Sequence, residues 1–152
     1  MGPGHDGGEM DVLTGDEALA LAVRLHGIEL GRPVDLLLDR EGFRVVGVDV
    51  LCGDEVNRFL PFPTATIEDD GLVIHSPLVL LETDQLDFYR TRSFSLASLK
   101  GRAVTKKGRD AGALRDIVFE RAGELRAVLL AGGERVPFDD TLAFAPQSRS
   151  AA

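Results

Sequence analysis

Two stretches of the chain about 80 residues apart carry one pattern, and this duplication limits the fold more than any other feature. Gly31 to Gly42 reads GRPVDLLLDREG, and Gly112 to Gly123 reads GALRDIVFERAG. Gly31, Asp35, Arg40 and Gly42 recur as Gly112, Asp116, Arg121 and Gly123. Leu36-Leu37-Leu38-Asp39 corresponds to Ile117-Val118-Phe119-Glu120. After one inserted residue, Phe43-Arg44-Val45-Val46 corresponds to Leu125-Arg126-Ala127-Val128, and later Leu60-Pro61-Phe62 to Val136-Pro137-Phe138. The period is too long for a solenoid repeat, which spans roughly 20–50 residues. It reads as two copies of one small β unit. A unit of about 60 residues buries too little surface to be robust alone, so the copies are expected to share a core or pack tightly.

The repeated block has a plain physical sense. Gly31 and Gly112 each begin a strand after a turn, and the apolar triplet crosses a buried sheet. Asp39 to Gly42 and Glu120 to Gly123 are polar hairpin turns in which Gly supplies positive φ. Elsewhere the strands expected are Phe43 to Leu51, Arg58 to Phe62 (ending at Pro61), Leu72 to His75, Leu125 to Leu130 and Arg135 to Phe138. The 17 Gly among 152 residues are then mostly turn punctuation.

Two segments have helical signals. Thr14-Gly15-Asp16-Glu17 has capping-box form ahead of Ala18 to Val23, a run that also suits a buried strand. Ser76 to Arg92 reads as a helical connector: Ser76 can cap with Pro77 at the first position, and Thr83-Asp84 offers a second start. It would set Leu78, Leu81 and Leu86 on one side.

These motifs resemble the PRC-barrel family, which includes the β-barrel domain of the photosynthetic reaction-centre H subunit and the C-terminal domain of ribosome maturation factors. The second copy shows the fuller pattern: Leu99 to Val104 opens, Lys107-Gly108 turns, Gly112 to Phe119 returns, and Val136-Pro137-Phe138 with Asp139-Asp140 closes. In the first copy Leu25-His26-Gly27-Ile28 precedes Gly31 directly, so its opening hairpin is short. The resemblance implies an all-β fold: two small PRC-barrel-like antiparallel β-barrels in tandem with a short helical connector. It implies units at residues 16–76 and 95–146 with a connector at 77–94; outside them the Gly-rich residues 1–15 read as a flexible tail and the small, polar residues 147–152 as a disordered one. It also implies that Ala18 to Leu25 is a first barrel strand rather than a helix.

Charge separates the two copies. Residues 1–76 hold five Arg, no Lys and 15 Asp or Glu; residues 77–152 hold 12 Lys or Arg and 10 Asp or Glu. The net charge of −8 is thus a strongly acidic half beside a slightly basic one, and direct nucleic-acid binding is not expected. The cations cluster at Lys100, Arg102, Lys106, Lys107 and Arg109, a solvated hairpin tip or a contact for an acidic partner. No apolar run approaches the ~18 residues of a membrane span. The opening MGPGHDGGEMD lacks the apolar core of a secretory signal, and a single cysteine excludes an internal disulfide, so a cytoplasmic location is expected.

The sequence supports little chemistry. The three histidines, His5, His26 and His75, have no ligand spacing and there is no cysteine pair, so neither a metal nor a cofactor is expected. Cys52 ends an apolar strand and reads as a small buried hydrophobe; pairing with His26 or His75 for catalysis lacks a motif. Nucleophile elbows and phosphate-binding glycine loops are absent. Asp35 and Asp116 recur in both copies, which favours a fold role on the outward phase of a strand. Asp69-Asp70 and Asp139-Asp140 read as turn residues. The resemblance to PRC-barrel proteins implies a non-enzymatic protein-binding or scaffold module, with another protein or itself as partner, including as a homodimer; the alternative it implies is a ribosome-assembly-type factor. The candidate partner surface is Phe88, Tyr89, Arg90 and Arg92 with Lys106, Lys107 and Arg109.

Overall fold

A computed structural model describes residues 12–145. Thirteen strands among the described residues form two sheets, with three short helices. The expected tails at residues 1–11 and 147–152 lie outside the described residues.

The first half supplies β2 (Val23–Leu25), β3 (Ile28–Asp39), β4 (Val45–Cys52), β5 (Asn57–Pro61), β6 (Thr66–Glu68) and β7 (Gly71–Ile74), in the sheet order β5-β4-β3-β2-β7-β6. The second half supplies β9 (Ala103–Lys106), β10 (Arg109–Glu120), β11 (Leu125–Leu130), β12 (Arg135–Pro137) and β13 (Leu142–Phe144), in the order β12-β11-β10-β9-β13. Leu36 pairs with Val48 and Val48 with Leu60; Ile117 pairs with Val128 and Val128 with Val136. Both long strands start from a two-residue turn with φ positive at each position, His26-Gly27 and Lys107-Gly108. That geometry matches the right-handed strand twist and suits Gly at the second place. The sheets end differently: β2 pairs with β7 in parallel, whereas β9 pairs with β13 antiparallel. The chain is therefore all-β in class, and neither sheet closes on itself.

The opening strands are exchanged. β1 (Val12–Thr14) adds to β10, and β8 (Ser93–Ser95) adds to β3, so each sheet receives one strand from outside its own run of chain. Each exchanged strand leads into a short helix, α1 (Gly15–Leu19) or α3 (Leu96–Leu99). Residues 12–15 are thus structured rather than tail. Ala18 to Leu25 is not one strand either. The Thr14 hydroxyl accepts the Glu17 N–H at 3.0 Å and the Glu17 carboxylate accepts the Thr14 N–H at 2.8 Å, which fixes the helix start.

One apolar core serves both sheets. It joins Leu36, Leu38, Val48, Val50 and Leu60 of the first half to Val104, Leu114, Ile117, Phe119, Val128 and Leu130 of the second. Each such side chain stabilises by about 1.5–3 kcal/mol when fully buried. Phe62 meets Phe119 edge-on at 5.6 Å, and Phe43 stacks on Phe94 at 5.4 Å while also touching Phe138 and Phe144. Backbone joins the halves as well: the Val45 N–H donates to the Gly123 carbonyl at 2.8 Å. Gly123 has φ +104, and a Cβ there would stand 2.6 Å from the Val45 carbonyl oxygen, so only glycine permits this approach.

The connector divides in two. A 3₁₀ turn, Pro77–Val79, is capped by the Ser76 hydroxyl, and the helix α2 spans Thr83–Arg92. Ser93 and Phe94, expected in the connector, already belong to β8. Leu86 is fully buried and Leu81 partly so, but Leu78 is 84% exposed because it sits on the turn before the helix.

Candidate functional site

α2 lies across the outer face of the first-half sheet. Asp84 in its first turn and Arg90 and Arg92 in its last complement the helix dipole. The helix is polar except for one narrow contact: Leu86 packs with Leu37 and Phe59, and Tyr89 stacks on Phe59 with ring centres 4.3 Å apart. Phe88 remains half exposed beneath the Arg92 guanidinium, 3.8 Å from its ring centre. Arg90 reaches down to the buried Asp49 and sideways to Asp87.

Beside this contact is a polar cleft of about 350 Å³, lined by Asp35, Leu37, Asp49, Arg90, Ser93, Ser95 and Ser98. Asp35 on β3 and Asp49 on β4 are paired across the strands, which sets two carboxylates side by side. Asp49 accepts from the Asn57 amide at 2.8 Å and from Arg90. A single Asp35 oxygen, Oδ1, accepts the N–H groups of Leu36 at 2.9 Å and Ala97 at 3.1 Å, the second being in the first turn of α3. Ser95 caps the same helix by accepting the Ser98 N–H.

The second half differs at the equivalent position. Asp116 occupies the matching place and pairs with Leu129 instead of a carboxylate. It is 1% exposed. One of its oxygens accepts the Ile117 N–H at 2.8 Å and the other accepts the Asp16 N–H at 3.0 Å. Burial pushes the Asp116 carboxyl above its ordinary value of 3.8 despite these bonds. The expectation that both face outward is corrected for Asp116, which is buried, whereas Asp35 is half-buried and lines the open cleft. A register shift falls at each, between Pro33 and Asp35 and between Leu114 and Asp116, and turns the carboxylate to a helix N-terminus.

The expected partner surface is spread over two elements. Phe88, Tyr89, Arg90 and Arg92 are on α2, which packs on β5, β8 and β3. Lys106, Lys107 and Arg109 are on the β9–β10 hairpin of the other sheet. Lys106 donates to Asp139 at 2.8 Å and to the Pro137 carbonyl at 3.1 Å, while Lys107 and Arg109 are exposed. The Lys106 ammonium holds Asp139 well below the usual carboxylate range.

Cys52 is buried and lines one depression with Arg58 and Asp54; His26 and His75 line another with Arg24, Glu68 and Asp70. Among the described residues no group of three or more His, Cys, Asp or Glu stands together as a metal ion would need. No helix among them is long and apolar enough to cross a membrane. Sequence reasoning named Asp35 and Arg90 but not Asp49, Asn57, Ser93, Ser95 or Ser98. The one signal for Asp49 was its phase, opposite to Val48 and Val50 on β4.

Compared with known proteins, the chain matches no protein-family model and no curated protein at the level expected of a relative.

Proposed function

We propose that this chain is a non-enzymatic, protein-binding scaffold module made of two PRC-barrel-like units. The matching hairpin registers and the reciprocal strand exchange support the two-unit reading. One observation carries the binding role. The large apolar residues left exposed among the described ones are Ile28, Val34, Leu51, Leu78 and Phe88, and all five lie between residues 28 and 88. Exposure confined to the first-half sheet and the connector that follows it, and reaching 84% at Leu78, supports a surface for a partner on that side of the chain. The two carboxylates of the cleft are engaged, Asp35 with backbone N–H groups and Asp49 with Asn57 and Arg90, so they read as part of a shaped surface and not as an acid–base pair.

The test uses the full chain immobilised beside three single variants, Leu51→Ser, Leu78→Ser and Phe88→Ser. A specific protein recovered by the parent and lost with at least one folded variant is expected. Equal recovery by all four, or recovery of this chain alone, defeats the heterotypic reading, the second outcome in favour of self-association. The rival, a ribosome-assembly-type factor, rests on the exposed Lys107 and Arg109. It requires salt-sensitive cosedimentation with ribosomal particles, abolished by reversing both charges.

A further inference from the structure

We propose that the cleft beneath α2 receives a cationic side chain, arginine or lysine, from a protein partner; this rests on the protein-binding reading above. Charge is the first argument. Asp35 and Asp49 face the cleft as a pair, and Arg90 is the one cation lining it, already joined to Asp49 and Asp87. The lining therefore carries one uncompensated negative charge, which disfavours a phosphate or carboxylate ligand.

Unused acceptors are the second argument. Both bonds to Asp35 fall on Oδ1, and Oδ2 accepts none among the described residues. Ser93 is only 7% exposed, yet its hydroxyl has no hydrogen-bond partner among the described residues. Among the described residues no fully buried side-chain oxygen lacks a partner, so this hydroxyl opens into the cleft that Ser93 lines. The hydroxyl is thus open to a donor that enters the cleft. Two open acceptors, one of them charged, call for a donor-rich cation. A guanidinium presents five N–H donors and an ammonium three.

Shape is the third argument. About 350 Å³ is near the lower end of ligand sites, enough for a side chain. Leu37 gives an apolar wall for the methylene stem of a long basic residue. A divalent cation fits poorly, because the cleft offers two carboxylates and a guanidinium rather than three anionic ligands.

The experiment titrates the isotope-labelled full chain with the capped tripeptides Gly-Arg-Gly and Gly-Lys-Gly, following backbone amide shifts. Neutral controls carry citrulline or acetyl-lysine at the centre. Saturable shifts at Asp49, Ser93 and Ala97 are expected for at least one cationic peptide, with Kd on the order of millimolar. The neutral peptides are expected to give no saturation. Asp35→Asn and Ser93→Ala are each expected to weaken binding at least fivefold. Asp35→Asn touches the α3 cap, so Ser93→Ala, which removes no hydrogen bond present in the fold, is the decisive variant if the first unfolds. Absence of saturation, equal response to neutral peptides, or unchanged binding by Ser93→Ala overturns the proposal. The Leu51, Leu78 and Phe88 variants leave the cleft intact, so failure of the protein-binding reading is scored separately.

Discussion

The Asp116 carboxylate accepts the backbone N–H of Asp16 at 3.0 Å, although 100 residues separate the two in sequence. Asp35 does the same for Ala97 at 3.1 Å. Each half thus caps the helix that follows the strand it receives from elsewhere. A helix of four or five residues has almost all its N–H groups unsatisfied, so an outside acceptor decides whether it forms. Asp116→Ala strands the Asp16 and Ile117 amides and is expected to destabilise the chain by roughly 1–3 kcal/mol. Asp35→Ala, in a half-exposed place where water can substitute, is expected to cost less. Urea unfolding with an unchanged slope checks both.

The pH dependence of these carboxylates has opposite signs. Asp116 is raised by burial, so its contribution is fully present below the ordinary 3.8 and is lost as pH rises through the folded value. Asp139 is lowered by Lys106, so its contribution is present above 3.8 and is lost as pH falls through the folded value. The stability gap between the parent and Asp139→Asn is therefore expected to be largest near neutrality and to shrink in acid below pH 3.8. Thermal unfolding across an acid series reads it; a gap that grows in acid overturns the assignment.

Gly47 is set by what covers it. It pairs with Leu37 and Pro61, and a Cβ there would run into the Phe59 ring and stand 2.8 Å from the Leu60 carbonyl oxygen. Phe59 cannot yield freely, being fully buried and stacked on Tyr89 of α2. By pairing register the matching residue of the other sheet, which pairs with Val118 and Pro137, is Ala127, so the sequence correspondence that set Ala127 against Val45 is two residues out on this strand. Gly47→Ala is expected to destabilise by roughly 1–3 kcal/mol through overpacking. Loss of amide dispersion should begin in α2 and β5, visible by hydrogen exchange.

The parts of this fold that were legible in the sequence are those with a local physical cause. β10, β11 and β5 follow from apolar runs bounded by Gly or Pro, and the capping box correctly marks Thr14 as a helix start. The exchanged strands were not legible. Val12–Thr14 and Ser93–Ser95 are three residues each, too short for a period, and their pairing is decided by distant partners. The resemblance that favoured a strand over Ala18 to Leu25 overrode the local cap, and the cap prevailed. Asp116 was misplaced because strand alternation holds only until a bulge resets the phase. The cleft draws Asp49, Arg90 and Ser93 from β4, α2 and β8, and no sequence spacing records that meeting.

Strand exchange also predicts how the chain comes apart. Residues 1–76 carry β1, which completes the second-half sheet, and residues 77–152 carry β8, which completes the first. The core cluster spans both, so neither piece can bury its apolar face alone. Produced separately, the two pieces are expected to show collapsed, poorly dispersed amide spectra. Mixed in equal amounts, they are expected to assemble into one species with native dispersion, held by both exchanged strands and by the Asp116 and Asp35 caps. Deleting residues 1–19 from the first piece removes β1 and α1 and is expected to abolish assembly or weaken it at least tenfold, although the deletion leaves the rest of the first-half sheet intact. Size-exclusion chromatography and amide spectra of the three mixtures read the result. Independent folding of either piece would mean that the halves are separate domains and that the exchange is incidental to their stability.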